Sequence, residues 1–284
     1  MTVKEALAQA AASLYEAGIE DPRLDAEILV MHVLGWSRAR LYAHWDEELT
    51  PQQADALHDL VRRRARSEPT AYILGHREFY DLDLAMDPHA FIPRPETELL
   101  VERALAFAVG RGTQGLKIAD VGTGSGAIAV AVAVHLPEAT VYAIDASPKA
   151  LEVAAENCRR HGVADRVCLL RGSLLEPLPE AVDIILANLP YVTDEEMALL
   201  PLEISGFEPQ QALRGGEEGL DYVLDLLRQT PAKLRSGGAV YLEIGPAQGP
   251  AVKAQAKQAF PDAEISTERD PAGFVRVVAI ETKP

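Results

Sequence analysis

From Leu116 onward the chain alternates short apolar runs, rich in β-branched residues, with helical patterns. No other feature restricts the fold as much. Strands are expected at 116–121, 140–145, 166–171, 182–187 and 238–244. Helical patterns lie between them, at about 125–135, 148–161, 217–235 and 248–259. Strands joined through helices run parallel, and a parallel sheet needs both faces covered, so the class is α/β. Two further strands, 263–269 and 273–281, close the chain. The turn Pro271-Ala272-Gly273 between them is too short for a crossover helix, so the last pair is expected to be antiparallel.

The first third is helical by pattern. Val3, Leu7, Ala10 and Leu14 mark one face of a helix over 3–17 that closes at Gly18. Asp21-Pro22 opens a second helix through Leu34, with Leu24, Ile28, Leu29 and Met31 on one side. A short third helix is expected over 37–45, and Thr50-Pro51 caps and starts a fourth that ends near Arg66. Nothing in this bundle has a catalytic pattern, and residues 1–75 are read as a helical domain that docks the substrate. Glu68-Pro69 breaks the pattern. The runs 79–86 and 91–93, around Asp87-Pro88, suggest a β-hairpin linker over 76–93. Pro93-Arg94-Pro95-Glu96-Thr97-Glu98 then opens a helix to about Val109, its acidic first turn matched to the helix dipole. A third region, 94–284, carries the alternating strands and helices.

Charge narrows the partners. The net charge is −16. Up to Ile92 there are 9 Lys/Arg against 16 Asp/Glu, net −7, and the rest has 18 against 27, net −9. Neither part is basic, which disfavours direct binding to nucleic acid through its phosphates. The densest basic run, Arg62-Arg63-Arg64-Ala65-Arg66, reads as the solvated end of a helix. No apolar run is long enough to span a membrane, and the first residues lack the plan of a signal peptide. Cys158 and Cys168 are the only cysteines and have no metal-ligand spacing around them. A cytoplasmic protein without a metal site is expected.

Three strand ends carry candidate chemistry. Asp120-Val121-Gly122-Thr123-Gly124-Ser125-Gly126 ends the first strand of the alternating region and starts a helix. Glycines there allow a sharp turn and a close approach to a ligand, and the helix N-terminus supplies free N–H groups. Gly122-x-Gly124-x-x-Ala127 fits the loose dinucleotide fingerprint, so the loop alone does not separate a nicotinamide cofactor from S-adenosylmethionine. Asp145 ends the next strand, 23 residues after Gly122, where a carboxylate can accept both ribose hydroxyls. Ser173 and Leu174 follow the third strand. They are placed either to hydrogen-bond and pack on adenine or simply to leave the sheet. Asn188-Leu189-Pro190-Tyr191 follows the apolar run 182–187. An amide beside a flat ring suits a planar nitrogen-bearing group, although by itself the motif reads first as a strand ending at an Asn-x-Pro turn.

Three stretches together resemble the HemK/PrmC family, the peptide chain release factor N5-glutamine methyltransferases. The first is Pro69-Thr70-Ala71-Tyr72-Ile73-Leu74-Gly75 with Glu78-Phe79-Tyr80. The second is Ile92-Pro93-Arg94-Pro95-Glu96-Thr97-Glu98. The third is Asp120 to Gly126 with Asn188 to Tyr191. Leu242-Glu243-Ile244-Gly245 and Gln248-Gly249 extend the similarity over nearly the whole chain. The resemblance implies a class I S-adenosylmethionine-dependent methyltransferase fold, a Rossmann-like seven-stranded sheet with an antiparallel last strand, behind a small helical domain. It implies methyl transfer to the side-chain nitrogen of the Gln in the Gly-Gly-Gln motif of bacterial class 1 release factors. By position, Gly122 to Gly126 wrap the methionine end of the cofactor, Asp145 takes its ribose, Pro95, Glu96 and Thr97 lie near it, and Asn188 to Tyr191 hold the substrate amide. The family reads Asn-Pro-Pro-Tyr, and Leu189 departs from that. It often has Asp where Ser173 stands.

An amide nitrogen is a poor nucleophile, and two acceptors at its N–H groups would aim its lone pair at a methyl donor. The Asn188 side chain and the carbonyl of Leu189 are those acceptors, Pro190 shapes the turn, and Tyr191 stacks on the amide. Asp194 reads as a helix cap. The alternatives are an adenine-N6 methyltransferase acting on rRNA or DNA, a nicotinamide oxidoreductase, and a non-catalytic protein that binds the cofactor or a release factor.

Overall fold

Apart from Asp120, residues 118–121, 184–187 and 239–242 alternate between two cores. Ile118, Ile184, Leu186, Ala239 and Tyr241 belong to one. Ala119, Val121, Ile185, Ala187, Val240 and Leu242 belong to the other. Side chains in a strand point to opposite faces in turn, so a run that is apolar at every position must be covered on both sides. The computed structural model shows that arrangement. It describes residues 1–112 and 114–283. Thr113 and Pro284, both within the expected 94–284 region, lie outside the described residues.

Two compact units are present, Met1–His76 with Pro201–Phe207, and Arg77–Leu200 with Glu208–Pro284. The first holds helices α1 (Val3–Glu16), α2 (Pro22–Leu34), α3 (Arg38–Ala43), α4 (Pro51–Arg64) and α5 (Thr70–Leu74). Thr2 caps α1 in a reciprocal pair with Glu5, and Thr50 caps α4 likewise with Gln53. Leu14, Leu29, Val30 and Leu41, all fully buried or nearly so, fill its core. The basic run at the end of α4 is held internally. Arg62 pairs with Asp59 and Arg63 with Glu68, at 2.9 Å in each case. The buried Arg64 gives Nε to Asp25 Oδ2 at 2.6 Å and Nη2 to Glu203 Oε2 at 2.7 Å. Glu203 lies in the 201–207 segment, in the short helix Leu202–Ser205, so two distant stretches of chain meet on one guanidinium.

In the second unit, β1 (His76–Phe79) and β2 (Leu82–Ala85) form a hairpin. Its turn is Tyr80-Asp81, both at positive φ (48° and 61°), the geometry that matches strand twist in a two-residue turn. The hairpin therefore fills 76–85 rather than 76–93. Asp87-Pro88 makes a separate turn, with Asp87 Oδ1 accepting from His89 N at 2.8 Å, and residues 91–93 form no strand. Helix α6 (Glu98–Arg111) follows the short 3₁₀ turn Pro95–Thr97.

The main sheet has seven strands in the order β5-β4-β3-β6-β7-β9-β8. They are β3 (Lys117–Val121), β4 (Thr140–Asp145), β5 (Val167–Arg171), β6 (Val182–Asn188), β7 (Leu234–Glu243), β8 (Glu264–Arg269) and β9 (Val275–Glu281). The first five are mutually parallel, and β9 is antiparallel to both β7 and β8, as the short turn at 271–273 required. Helices α7 (Ala127–His135), α8 (Pro148–Arg160), α9 (Asp194–Met197), α10 (Leu202–Ser205), α11 (Asp221–Gln229) and α12 (Gly249–Ala259) complete the chain. The expected helix over 217–235 is shorter, and β7 starts four residues before 238. Thr230-Pro231 ends α11 in a 3₁₀ turn, and the glycines at 237–238 pass through a register irregularity opposite Asp183 instead of forming a loop. Among the described residues no helix is long and apolar enough to cross a membrane.

Removing one partner of a buried ion pair strands the other charge. Arg64→Ala should therefore lower the stability of the helical unit by about 3–5 kcal/mol in urea unfolding followed by circular dichroism. A loss below about 1 kcal/mol would mean that the triad behaves as a surface pair.

Candidate active site

Strand order reverses at β3. The chain runs from β3 outward to β4 and β5, then returns to β6 on the other side of β3. A crevice opens at such a switch point beyond the C-terminal strand ends. Here it is a cavity of about 270 Å³, lined in part by Gly122, Asp145, Ser173, Asn188 and Tyr191.

Asp120, near the end of β3, is fully buried. Its Oδ2 accepts the Thr123 hydroxyl at 2.5 Å and the Ala129 N–H at 3.1 Å, which ties the glycine loop to the first turn of α7. Burial pushes its carboxyl up to about 7, against the pull of those two donors. Gly122 has φ +76°, and a Cβ there would stand 3.0 Å from Leu189 Cδ2. The loop after β3 and the turn after β6 thus pack directly on one another. At the end of β4, Asp145 accepts Gly124 N at 2.9 Å through Oδ2 and Ser147 N at 2.8 Å through Oδ1. Each oxygen keeps a further lone pair at the cavity wall. Ser173 and Leu174 line the same wall beyond β5, with Leu174 at φ +48°.

Asn188 ends β6 and gives Nδ2 to Thr97 Oγ1 at 3.1 Å. That orientation leaves Oδ1 as the free acceptor. Leu189 is buried, so its side chain contributes packing against the glycine loop beside whatever its carbonyl does. Tyr191 is held from behind. Its carbonyl accepts Gln248 Nε2 at 3.0 Å, and the same amide group donates to Gly219 O at 3.0 Å. Gly219 has φ +68°, and a Cβ there would fall 2.1 Å from Tyr191 O. Val192 N donates to Leu213 O at 2.9 Å, fastening the next residue to the same loop. Burial and the neighbouring Glu243 push the Tyr191 phenol up to about 12.

The remaining expected residues divide in two. Thr97, Thr123, Gly124, Ser125, Leu189 and Pro190 reach the cavity wall. Asp120, Gly126, Pro95 and Glu96 do not. Asp120 lies beneath the loop, Gly126 packs on Ala154, and Pro95 and Glu96 form the turn that presents Thr97. Asp194 is not the helix cap. Thr193 caps α9, and Asp194 takes both Arg214 donors, at 2.6 and 3.0 Å. The sequence reading assigned no role to His89, Phe91 and Tyr222 on the cavity wall or to Gly219 behind Tyr191, and Gln248 entered only as part of the family resemblance. The close-set glycines at 215, 216 and 219 were the one local signal for that backing loop.

Comparison with known proteins accounts for this arrangement. The PrmC N-terminal domain family matches residues 5–75, and the methyltransferase small domain family matches residues 96–201. The release factor glutamine methyltransferase of Moorella thermoacetica is 44% identical over 89% of this chain and 89% of its own. That of Geobacter sulfurreducens is 39% identical over 98% of this chain and 95% of its own. The chain belongs to the release factor glutamine methyltransferase family. A methyltransferase from Pyrococcus furiosus, only 16% identical, shares the fold with a TM-score of 0.52 over 83% of this chain and 100% of that one. The family's methyl donor is S-adenosyl-L-methionine. The glycine loop, which turns sharply at Gly122 and Gly124 on the cavity wall, and the spare lone pairs of Asp145 suit its methionine end and its ribose.

Asp120 holds its proton in the folded chain at pH values where the unfolded chain has lost it. Its contribution to stability is therefore greatest below about pH 4 and falls as pH rises toward 7. Glu243 shares that window. Asp120→Asn should flatten the fall in unfolding free energy between about pH 4 and 7 relative to the parent chain, as read by urea titration. An unchanged slope would show that Asp120 is already ionised in the folded protein.

Proposed function

We propose that this protein transfers a methyl group from S-adenosyl-L-methionine to the side-chain amide nitrogen of the Gln in the Gly-Gly-Gln motif of bacterial class 1 peptide chain release factors. The contact between Leu189 and Gly122 carries this reading, because it sets the amide-capturing turn against the cofactor loop. The cofactor, when bound, supplies a methyl group on a positively charged sulfur. The protein's task is to make an amide nitrogen able to attack it.

Asn188 Oδ1 and the carbonyl of Leu189 accept the two N–H groups of the substrate amide. That fixes the amide plane and opposes delocalisation of the nitrogen lone pair into its carbonyl. Thr97 holds the Asn188 amide with its oxygen free for this purpose. Pro190 shapes the turn, and the ring of Tyr191, anchored through Gln248, stacks on the flat substrate group. Holding the nitrogen in line with the methyl group can supply roughly 7–11 kcal/mol of the barrier reduction. The proton leaves after transfer, so no strong base is needed beside the motif. Asp145 takes the cofactor ribose, and Ser173 and Leu174 flank its adenine. The helical unit docks the release factor, and the protein works in the cytoplasm, where translation factors act. The net charge of −16 disfavours direct contact with nucleic acid.

Incubation with labelled S-adenosylmethionine and a bacterial release factor should place one methyl group on the Gly-Gly-Gln glutamine, located by mass spectrometry of the peptide. Label found on ribosomal RNA alone would replace this reading with adenine methylation. Cofactor binding with no label on any protein or RNA would indicate a binding protein. Asn188→Ala should cut turnover about 10²-fold or more while leaving cofactor affinity within a few-fold. Surviving activity in that variant would refute the amide-capture geometry.

A further inference from the structure

Glu208 lies just ahead of the 3₁₀ turn Gln210–Ala212 and is 4% exposed. A carboxylate buried this far costs stability unless it is paired and hydrogen-bonded. Both of its oxygens are engaged by one distant stretch of chain. Oε2 accepts Ile92 N at 3.3 Å, and Oε1 accepts Arg94 Nη2. The same guanidinium lies over the Phe91 ring, 4.7 Å from its centroid. Glu208 does not itself line the cavity, but the residues on either side of this pairing do. Phe91 and Pro93 line it from one stretch, and Pro209, Gln211 and Leu213 from the other.

Neither stretch is held by the sheet. Residues 89–94 form no strand or helix, and 209–213 contain only the single 3₁₀ turn. Each is fastened instead to one end of the acceptor turn. On the first side Thr97 N donates to Arg94 O at 3.1 Å, and Asn188 Nδ2 donates to Thr97 Oγ1 at 3.1 Å. On the second, Ala212 N donates to Pro209 O at 2.9 Å, and Val192 N donates to Leu213 O at 2.9 Å. Glu208 joins the two arms. The contacts therefore run in a closed ring from Asn188 through Thr97, Arg94, Glu208 and Leu213 back to Val192. The glycine loop and Asp145 are not members of it. We propose that Glu208 is a positioning residue that closes this ring around Asn188 to Tyr191 and sets the opening through which the methyl acceptor reaches them. The kinetic consequence rests on the glutamine reading above, and the structural one does not. With the link cut, both arms keep their hold on the turn and lose their hold on each other. The acceptor is then less well aligned with the methyl donor, and a displacement of about 1 Å at the reacting atoms costs up to about 10²-fold in rate.

Glu208→Gln replaces one carboxyl oxygen by an N–H donor, which cannot accept from Arg94 or Ile92. Hydrogen–deuterium exchange read by mass spectrometry should become faster in peptides covering 89–94 and 209–213 and stay unchanged over 122–130. The kcat for methyl transfer to a bacterial release factor should fall about 10- to 100-fold, while the dissociation constant of S-adenosylhomocysteine, read by calorimetry, stays within about twofold. Arg94→Met cuts the same link from the other side and leaves Glu208 the Ile92 N–H, so it should reproduce the pattern, and it alone decides if Glu208→Gln does not fold. Arg94→Lys keeps a charged donor for Glu208 and should recover most of the rate. Unchanged exchange in both peptides, or an unchanged kcat in a folded variant that cuts the link, overturns the proposal. Faster exchange over 122–130, or a loss of cofactor affinity equal to the loss of kcat, also overturns it, because Glu208 would then serve the fold as a whole. If the parent protein does not methylate the release factor at all, the glutamine reading falls, and the exchange pattern still decides whether Glu208 closes the ring.

Discussion

The hydrogen bonds between β3 and β6 set Val121 beside Ala187, and the rest of the site follows from that register. The next residues along are Gly122 and Asn188. The glycine loop and the Asn188 turn, separated by more than sixty residues of sequence, thereby come into van der Waals contact. A slip of one residue would send each side chain to the opposite face of the sheet. Both faces are packed with fully buried aliphatic side chains, so the register is strongly specified. Rigidity at the strand ends lets a turn as short as Asn188 to Tyr191 hold its geometry.

Around this contact lies a layer of buried polar groups that does not touch the cavity. Asp120 supports the glycine loop from below, and Glu243 lies beside Asn188 at the end of the neighbouring strand. Among the described residues these are the two buried side chains with an oxygen that lacks a hydrogen-bond partner. Each sits at or next to the end of a parallel strand, and each is pushed by burial to about 7. An under-satisfied carboxylate costs stability, and its presence on both sides of one site fits the general pattern in which functional geometry is kept at the expense of folding free energy. Gln248 differs. Both ends of its amide are engaged, and it joins the 245–248 turn to Tyr191 and Gly219.

The Arg62 to Arg66 run shows how far local pattern can mislead about exposure. By sequence it is a cluster of solvated charges. In the folded helical unit Arg64 is buried between Asp25 and Glu203, and Arg62 and Arg63 are paired. Neither acidic partner of Arg64 is near it in sequence, and Glu203 comes from a segment nearly 140 residues away. No periodicity or composition signal reports such a pairing.

Local chemistry was legible wherever a single turn or strand decides the outcome. Alternation from Leu116 onward fixed the parallel sheet, the three-residue turn at 271–273 fixed the antiparallel last strand, and Thr50 marked the start of its helix because capping is an interaction within four residues. The glycine loop, Asp145 and the Asn188 turn were visible as candidates because each is a short run of adjacent residues at a strand end. The hairpin turn was misplaced because Asp-Pro is a stronger local signal than Tyr-Asp, although the positive φ angles fall on Tyr80 and Asp81. What only the tertiary structure decided is which strand ends are neighbours. It put Leu189 on Gly122, Thr97 under Asn188, and Glu243 beside Asn188. Those contacts are set by strand order and register, which depend on how the whole sheet buries its two faces and leave no trace in any short stretch of sequence.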